Sequence, residues 1–305
     1  MAHAKNFQLA ALIDMKSPKA VIAEIKKVFC YHYPSKYYNP VKKNIAHTQK
    51  LFSGKYPGYR ECNTEYHNLS HTLDTTLAAV RLLDGYNLNQ TPLSPETARH
   101  LLTAALLHDT GYLQEKWDTE GSGAKYTVTH VGRSVAFLEK NHEDFSIQEQ
   151  DIKKLARIIE CTDITADLDE IEFSSEEERL VGCLLGSADL LGQMSDRAYL
   201  EKLMFLYREF REAGISGMNT EFDILKQTIS FYELTVKRLA GSYRNVSQYS
   251  RYHFSSRFGI DGDLYSEAIA RHIQYLHKII EDETTNFRHK LKRGSWIHGD
   301  PASTH

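Results

Sequence analysis

The chain has 305 residues, of which 41% are hydrophobic and 25% charged, with a formal net charge of -3. That balance supplies a sizeable core, and its slight acidity excludes the broad basic field of a bulk nucleic-acid binder. Cys30, Cys62, Cys161 and Cys183 form no CxxC pair, no apolar run is long enough to span a membrane, and the N-terminus lacks a signal-peptide pattern, so a reducing cytoplasm is expected.

Seven prolines and 17 glycines are few breakers for this length, which favours long helices. Apolar spacing at three and four residues runs from end to end, with no repeat and no strand pattern, so the predicted class is all-α. The first helix is predicted over 18–31, with Val21, Ile25 and Val28 on one face, and the second near 39–53. A loop with Pro57 and Gly58 leads to a helix over 67–84, with Leu73, Leu77, Val80 and Leu83 inward. Ser94-Pro95-Glu96 reads as a helix start, a Ser cap followed by Pro at the first position. The helix that follows is apolar nearly all round through Leu106-Leu107, which predicts the central buried helix.

Ser146 with Glu149, and Ser175 with Glu178, read as capping boxes for the helices through Ile159 and toward Asp189. Further helices are predicted at about 196–213, 221–241 and 262–290. Residues 242–260, aromatic and basic without clear periodicity, read as a loop or extended excursion. The tail after Arg293, with Gly294, Gly299 and Pro301, reads as frayed. The organisation expected is an N-terminal helical extension over 1–59, a core over 60–241, and a C-terminal loop and helix over 242–305.

Three stretches carry chemistry. His67 and His71 stand four apart, which on a helix puts both imidazoles on one face. His108-Asp109 ends the apolar helix, where a buried charged pair is costly unless compensated, and a divalent cation compensates strongly. Asp189 places another carboxylate on an apolar helix, after Leu184-Leu185-Gly186-Ser187-Ala188. Two imidazoles and two carboxylates suit a borderline or hard divalent metal with open positions for water. The acidic loop with Asp167, Asp169, Glu170 and Glu172 reads as solvated surface, and the Arg/Tyr segment from Tyr243 to Arg257 as a solvated loop or oligomer contact.

The series His71, His108-Asp109 and Asp189 resembles the H…HD…D signature of the HD superfamily of metal-dependent phosphohydrolases. Within it, Tyr66-His67-Asn68 with His71 and Asp74, the segment Thr162-Asp163, and Ser187-Ala188-Asp189-Leu190 resemble the catalytic domain of class I cyclic-nucleotide phosphodiesterases over roughly residues 60–240. The resemblance implies a helical bundle around two divalent metal ions, whether Zn, Mn, Mg or Fe. His71, His108, Asp109 and Asp189 would bind the tighter one, and Asp109 with a hydroxide would bridge to the second. It implies His67 as general acid, Asp163 as an orienting group, and His130 near the second metal through water. Tyr112 stands where the family has a second histidine, and Tyr126 falls near the place of its usual Glu. Gln227 is one residue out of register when Phe231 is aligned with the family's base-stacking Phe. The expected activity is hydrolysis of a phosphodiester in a cyclic nucleotide or related small nucleotide. A nucleotide phosphomonoesterase, a di-iron oxygenase and a non-catalytic metal-binding sensor are the alternatives, and a homo-oligomer is left open.

Overall fold

The computed structural model describes residues 8–282 and 284–291. Among them are eleven α-helices, and the only β pairing is two isolated bridges, Ser53 with Glu61 and Tyr59 with Glu115. The all-α expectation holds. No helix among the described residues is long and apolar enough to cross a membrane. The four cysteines are unpaired. The predicted frayed tail after Arg293 lies outside the described residues.

Helix α1 (Pro18–Phe29) opens where Ser17 accepts a hydrogen bond from Ala20 N, with Pro18 in the first turn, and it buries Val21, Ile25, Val28 and Phe29. Helix α2 (Tyr38–Phe52) follows. Helix α3 (Leu69–Asn89) is buried on nearly every face and packs against α1, α4 (Pro95–Leu107), α7 (Glu176–Met194) and α10 (Ser250–Phe258). The centre of the bundle is therefore α3 rather than α4. Helix α4 is buried as expected, from Leu101 to Leu107, but polar α3 residues such as Thr72, Thr75 and Thr76 are equally enclosed. Helix α3 hides its polarity partly by bonding hydroxyls back to its own carbonyls, as Thr76 does to Thr72 O.

Between these lie α5 (His130–Asn141) and α6 (Ile152–Glu160); after α7 come α8 (Tyr199–Glu212), α9 (Glu221–Ala240) and, last, α11 (Leu264–Glu281). The expected caps hold in part. Ser94 accepts from Thr97 N, and Ser175 from Glu178 N. The Glu178 carboxylate does not return to Ser175; it takes Arg157 Nε and Ser174 N. Ser146 caps nothing. It sits at φ 56 in the left-handed region, and α6 begins only at Ile152. The full capping box is at Thr220 and Asp223, opening α9.

Residues 242–260 are not an excursion. A 3-10 turn (Val246–Tyr249) leads into α10, which lies against α3. The lack of apolar period has a physical cause: α10 is held by a buried charge. Asp84 on α3 is 1% exposed and accepts from His253 Nδ1 at 2.7 Å, from Arg257 Nη2 at 2.6 Å, and from His32 Nε2, beyond α1, at 2.7 Å. One carboxylate thus ties three segments together. The approach is close enough that a Cβ on Gly85 would sit 1.8 Å from Tyr249 O, so only glycine fits there.

Burial alone would raise the Asp84 carboxyl pKa, but the hydrogen bonds from His253, His32 and Arg257 overturn this and hold it well below the ordinary range. Burial also pulls His253 down, so its ring serves as a neutral donor and Arg257 supplies the positive charge. A carboxyl depressed by folding stabilises the native state above its unfolded pKa of about 3.9 and loses that contribution as pH falls below it. Asp84→Ala is expected to cost about 3–5 kcal/mol, the usual penalty for breaking a buried pair. Urea unfolding checks both points: the wild type should lose stability more steeply than Asp84→Asn as the pH is lowered past the carboxylate range.

Candidate metal centre

Three helix ends and one helix face build the site. Asn68 caps α3, its Oδ1 accepting from Ser70 N and His71 N, so the helix begins after His67. The expectation that His67 and His71 share a helical face is corrected here: His67 lies in the approach to the helix, and its ring still meets that of His71 edge-on at 5.6 Å. His108 ends α4, and Asp109 begins the turn into Thr110–Tyr112. Asp189 projects from α7, with Thr75 Oγ1 donating to its Oδ1.

Four donors converge. His71 Nε2 is 3.2 Å from Asp109 Oδ2 and 3.1 Å from Asp189 Oδ1; His108 Nε2 is 3.2 Å and 3.4 Å from the same two oxygens. Donors set about 2.0–2.2 Å from one cation stand about 3.0–3.4 Å from each other. The four contacts have the length of edges of such a shell, and His71, His108 and Asp109 each bring a donor atom within 4.8 Å of the others. His108 Nδ1 lies 2.9 Å from Ala105 O, a carbonyl that can only accept, so Nδ1 carries the proton and Nε2 offers a lone pair to the cluster. His108 Nε2 and Asp109 Oδ2 are both buried without a hydrogen-bond partner. A lone pair and a carboxylate oxygen, enclosed and facing each other, repel unless a cation or proton lies between them.

The electrostatics agree. Burial opposes charging His71, but Asp109 and Asp189 outweigh it and raise its pKa to about 9. The same contacts outweigh burial at the carboxyls of Asp109 and Asp189 and hold both far below the ordinary range. The site is set for positive charge. These residues could hold one divalent cation.

His130 opens α5 nearby. Its Nδ1 donates to Thr127 O at 2.7 Å, and its Nε2 stands 3.7 Å from Asp109 Oδ1, the oxygen turned away from the four-donor cluster. Burial lowers the His130 pKa and keeps the ring neutral. Gly111 permits this approach, because a Cβ there would lie 1.9 Å from His130 O. Ser134 locks the turn, donating to His108 O and accepting from Gly111 N at 2.8 Å.

Tyr112, placed by the resemblance at the second metal or its water shell, lies between two imidazoles. Its ring stacks on His67 at 4.2 Å and 9° and on His130 at 4.6 Å and 26°. Burial, with Asp109 nearby, raises its phenol pKa well above the ordinary value. His67 in turn is held by Glu209 of α8, a residue the sequence reading missed. Glu209 Oε2 is 2.6 Å from His67 Nδ1, and Oε1 accepts from Tyr66 N at 2.6 Å. Nothing in the local pattern Tyr207-Arg208-Glu209-Phe210 marks this carboxylate, which comes from 142 residues downstream.

The remaining expected residues lie elsewhere. The Asp163 carboxylate accepts from Thr165 N and Oγ1 in a local turn, and the carboxylate that meets His67 is that of Glu209. Gln227 is exposed, and its amide donates to Gly217 O; Phe231 is half-buried against the hydrophobic core. Neither has a hydrogen bond or ring contact with the cluster among the described residues.

A family model described as Npun_R2479-like matches residues 116–251, less than half of the chain. That span includes His130, Asp189 and Glu209 but not His67, His71, His108 or Asp109. No curated protein and no solved structure matches the chain.

A cation bound only by the folded state stabilises it by about 2.7 kcal/mol at a hundredfold excess over its Kd. Thermal unfolding in Mn²⁺ and in chelator should therefore separate for the wild type. In Asp109→Ala the increment from this centre should vanish, and an undiminished response in that variant would remove the site.

Proposed function

We propose that this chain is a metal-dependent phosphohydrolase acting on a phosphodiester, in a cyclic nucleotide or related small nucleotide. One observation carries the reading: beside the four converging donors stands a second, separate pair, His67 with Glu209, suited to moving a proton. A site that only held a cation for stability has no use for that pair. The donor series is also the one expected from the resemblance to HD phosphohydrolases.

His71, His108, Asp109 and Asp189 would hold the tighter cation, and Asp109 with His130 would hold a second. Bound there, divalent cations polarise phosphoryl oxygens and lower the pKa of water. The chain supplies the rest. Glu209 accepts the Nδ1 proton of His67, so the Nε2 atom is the one free to carry a proton to a leaving oxygen. The buried carboxylate, 3% exposed, also offsets the positive charge of a protonated imidazole. Tyr112 fixes the plane of that imidazole from one face and separates it from His130. His67 and His130 are more exposed than His108 and Asp109, so the proton donor stands on the open side of the site.

The purified chain with Mn²⁺ or Mg²⁺ should cleave bis-p-nitrophenyl phosphate and a cyclic nucleotide, and Asp109→Ala should cleave neither; survival of activity in that variant would sink the mechanism. His67→Ala separates the roles. Loss of a general acid costs about 10²–10⁴-fold where the leaving group is a sugar alkoxide. The nitrophenolate leaves without a proton, so bis-p-nitrophenyl phosphate should be spared. An equal loss on both substrates would make His67 a structural residue.

A further inference from the structure

A second group of metal-type donors lies away from this centre. His100 is on α4, eight residues before His108, about 12 Å along the helix axis. It is 3% exposed, and neither of its ring nitrogens has a hydrogen-bond partner. Its Nε2 lies 3.5 Å from Asp151 Oδ2, itself buried and without a partner. Glu96, one turn earlier on α4, completes the group, and one donor atom from each of the three falls within 4.8 Å of the others. No charge-neutral explanation satisfies these atoms. A neutral imidazole has one N–H and one lone pair, and here both are enclosed and unused. Leaving a buried polar atom unpaired costs about 1–3 kcal/mol. Asp151 follows the same logic: it stands at the N-cap of α6, yet its side chain makes no capping bond.

We propose that Glu96, His100 and Asp151 form a second cation site, for a borderline divalent ion such as zinc, that pins the start of α6 onto α4. One imidazole nitrogen with carboxylate oxygens is a donor set for such an ion, with positions left for water, and no thiolate is present to select a softer one. Burial lowers the pKa of His100, which keeps the ring in its ligating form; Asp151 and Glu96 face it with negative charge, and Arg99 and Lys154 with positive. Arg99 holds one Glu96 oxygen at 3.3 Å, leaving the other for the ion. The site is independent of the phosphohydrolase reading.

The test is a cation count on the full chain, stripped with chelator and dialysed against Zn²⁺ or Co²⁺. Asp151→Asn, nearly isosteric, should bind one ion fewer per chain than the wild type while keeping its helical circular dichroism. Glu96→Gln, at an exposed position, should bind that ion more weakly. Made in an Asp109→Ala background, Asp151→Asn should abolish the ion that Asp109→Ala alone retains, and the visible Co²⁺ spectrum should disappear with it. A count unchanged by both Asp151→Asn and His100→Gln would overturn the site, as would an Asp109→Ala protein that binds none. A count unchanged by Asp109→Ala but lowered by Asp151→Asn would support this site and defeat the other, so the two readings fail separately.

Discussion

The organising constraint of this molecule is a buried excess of negative charge. Asp109 and Asp189 stand where α3, α4 and α7 meet, each within 3.4 Å of His71 and His108. Burying one carboxylate without a partner is costly, and burying two facing each other more so. The imidazoles relieve this only when they carry charge or share a cation with the carboxylates. His108 keeps its Nδ1 proton on Ala105 O, so it meets the carboxylates only through Nε2, by a second proton or by a cation. The whole cluster therefore calls for positive charge, and the contacts of Asp109 and Asp189 raise the His71 pKa for the same reason.

The packing around the cluster is itself built from polar contacts. Helix α3 carries His71 at one end and Asp84 toward the other, and both are buried. Asp84 is satisfied internally by three side chains, which spans its charge with protein donors alone. The His71 end lacks such donors. The contrast explains why the His71 end of this helix reads as a ligand site and the Asp84 end does not. Where Arg257 and the histidines complete the hydrogen bonds, nothing further is required; where orphaned atoms face one point, something is.

The parts legible in sequence were those written locally. His108-Asp109 after an apolar run, Asp189 on another, and the Ser94-Pro95 cap each depend on neighbours within a turn or two, and each stands where expected. What escaped depends on distant contacts. Glu209 reaches His67 across the chain, and its flanking residues are an ordinary amphipathic helix. Helix α10 has no apolar period because its anchor is an ion pair with Asp84, so periodicity misread it as a loop. Asp163 was assigned by position in a motif, and the structure gives its carboxylate to Thr165 instead. Ser146 had the residue spacing of a cap but not the backbone: at φ 56 it turns the chain before the helix begins.

Tyr112 fixes the geometry of the two imidazoles beside it. A histidine in its place would bring a third nitrogen toward the cluster. The tyrosine brings a flat ring, and that ring fills the gap between His67 and His130, nearly parallel to both. Stacked aromatic pairs contribute about 0.5–1.5 kcal/mol beyond their burial. Two such pairs on one ring hold two imidazoles in fixed planes at no cost in charge. The ring separates two pairings: His67 Nδ1 meets Glu209, and neutral His130 turns its Nε2 toward Asp109 Oδ1.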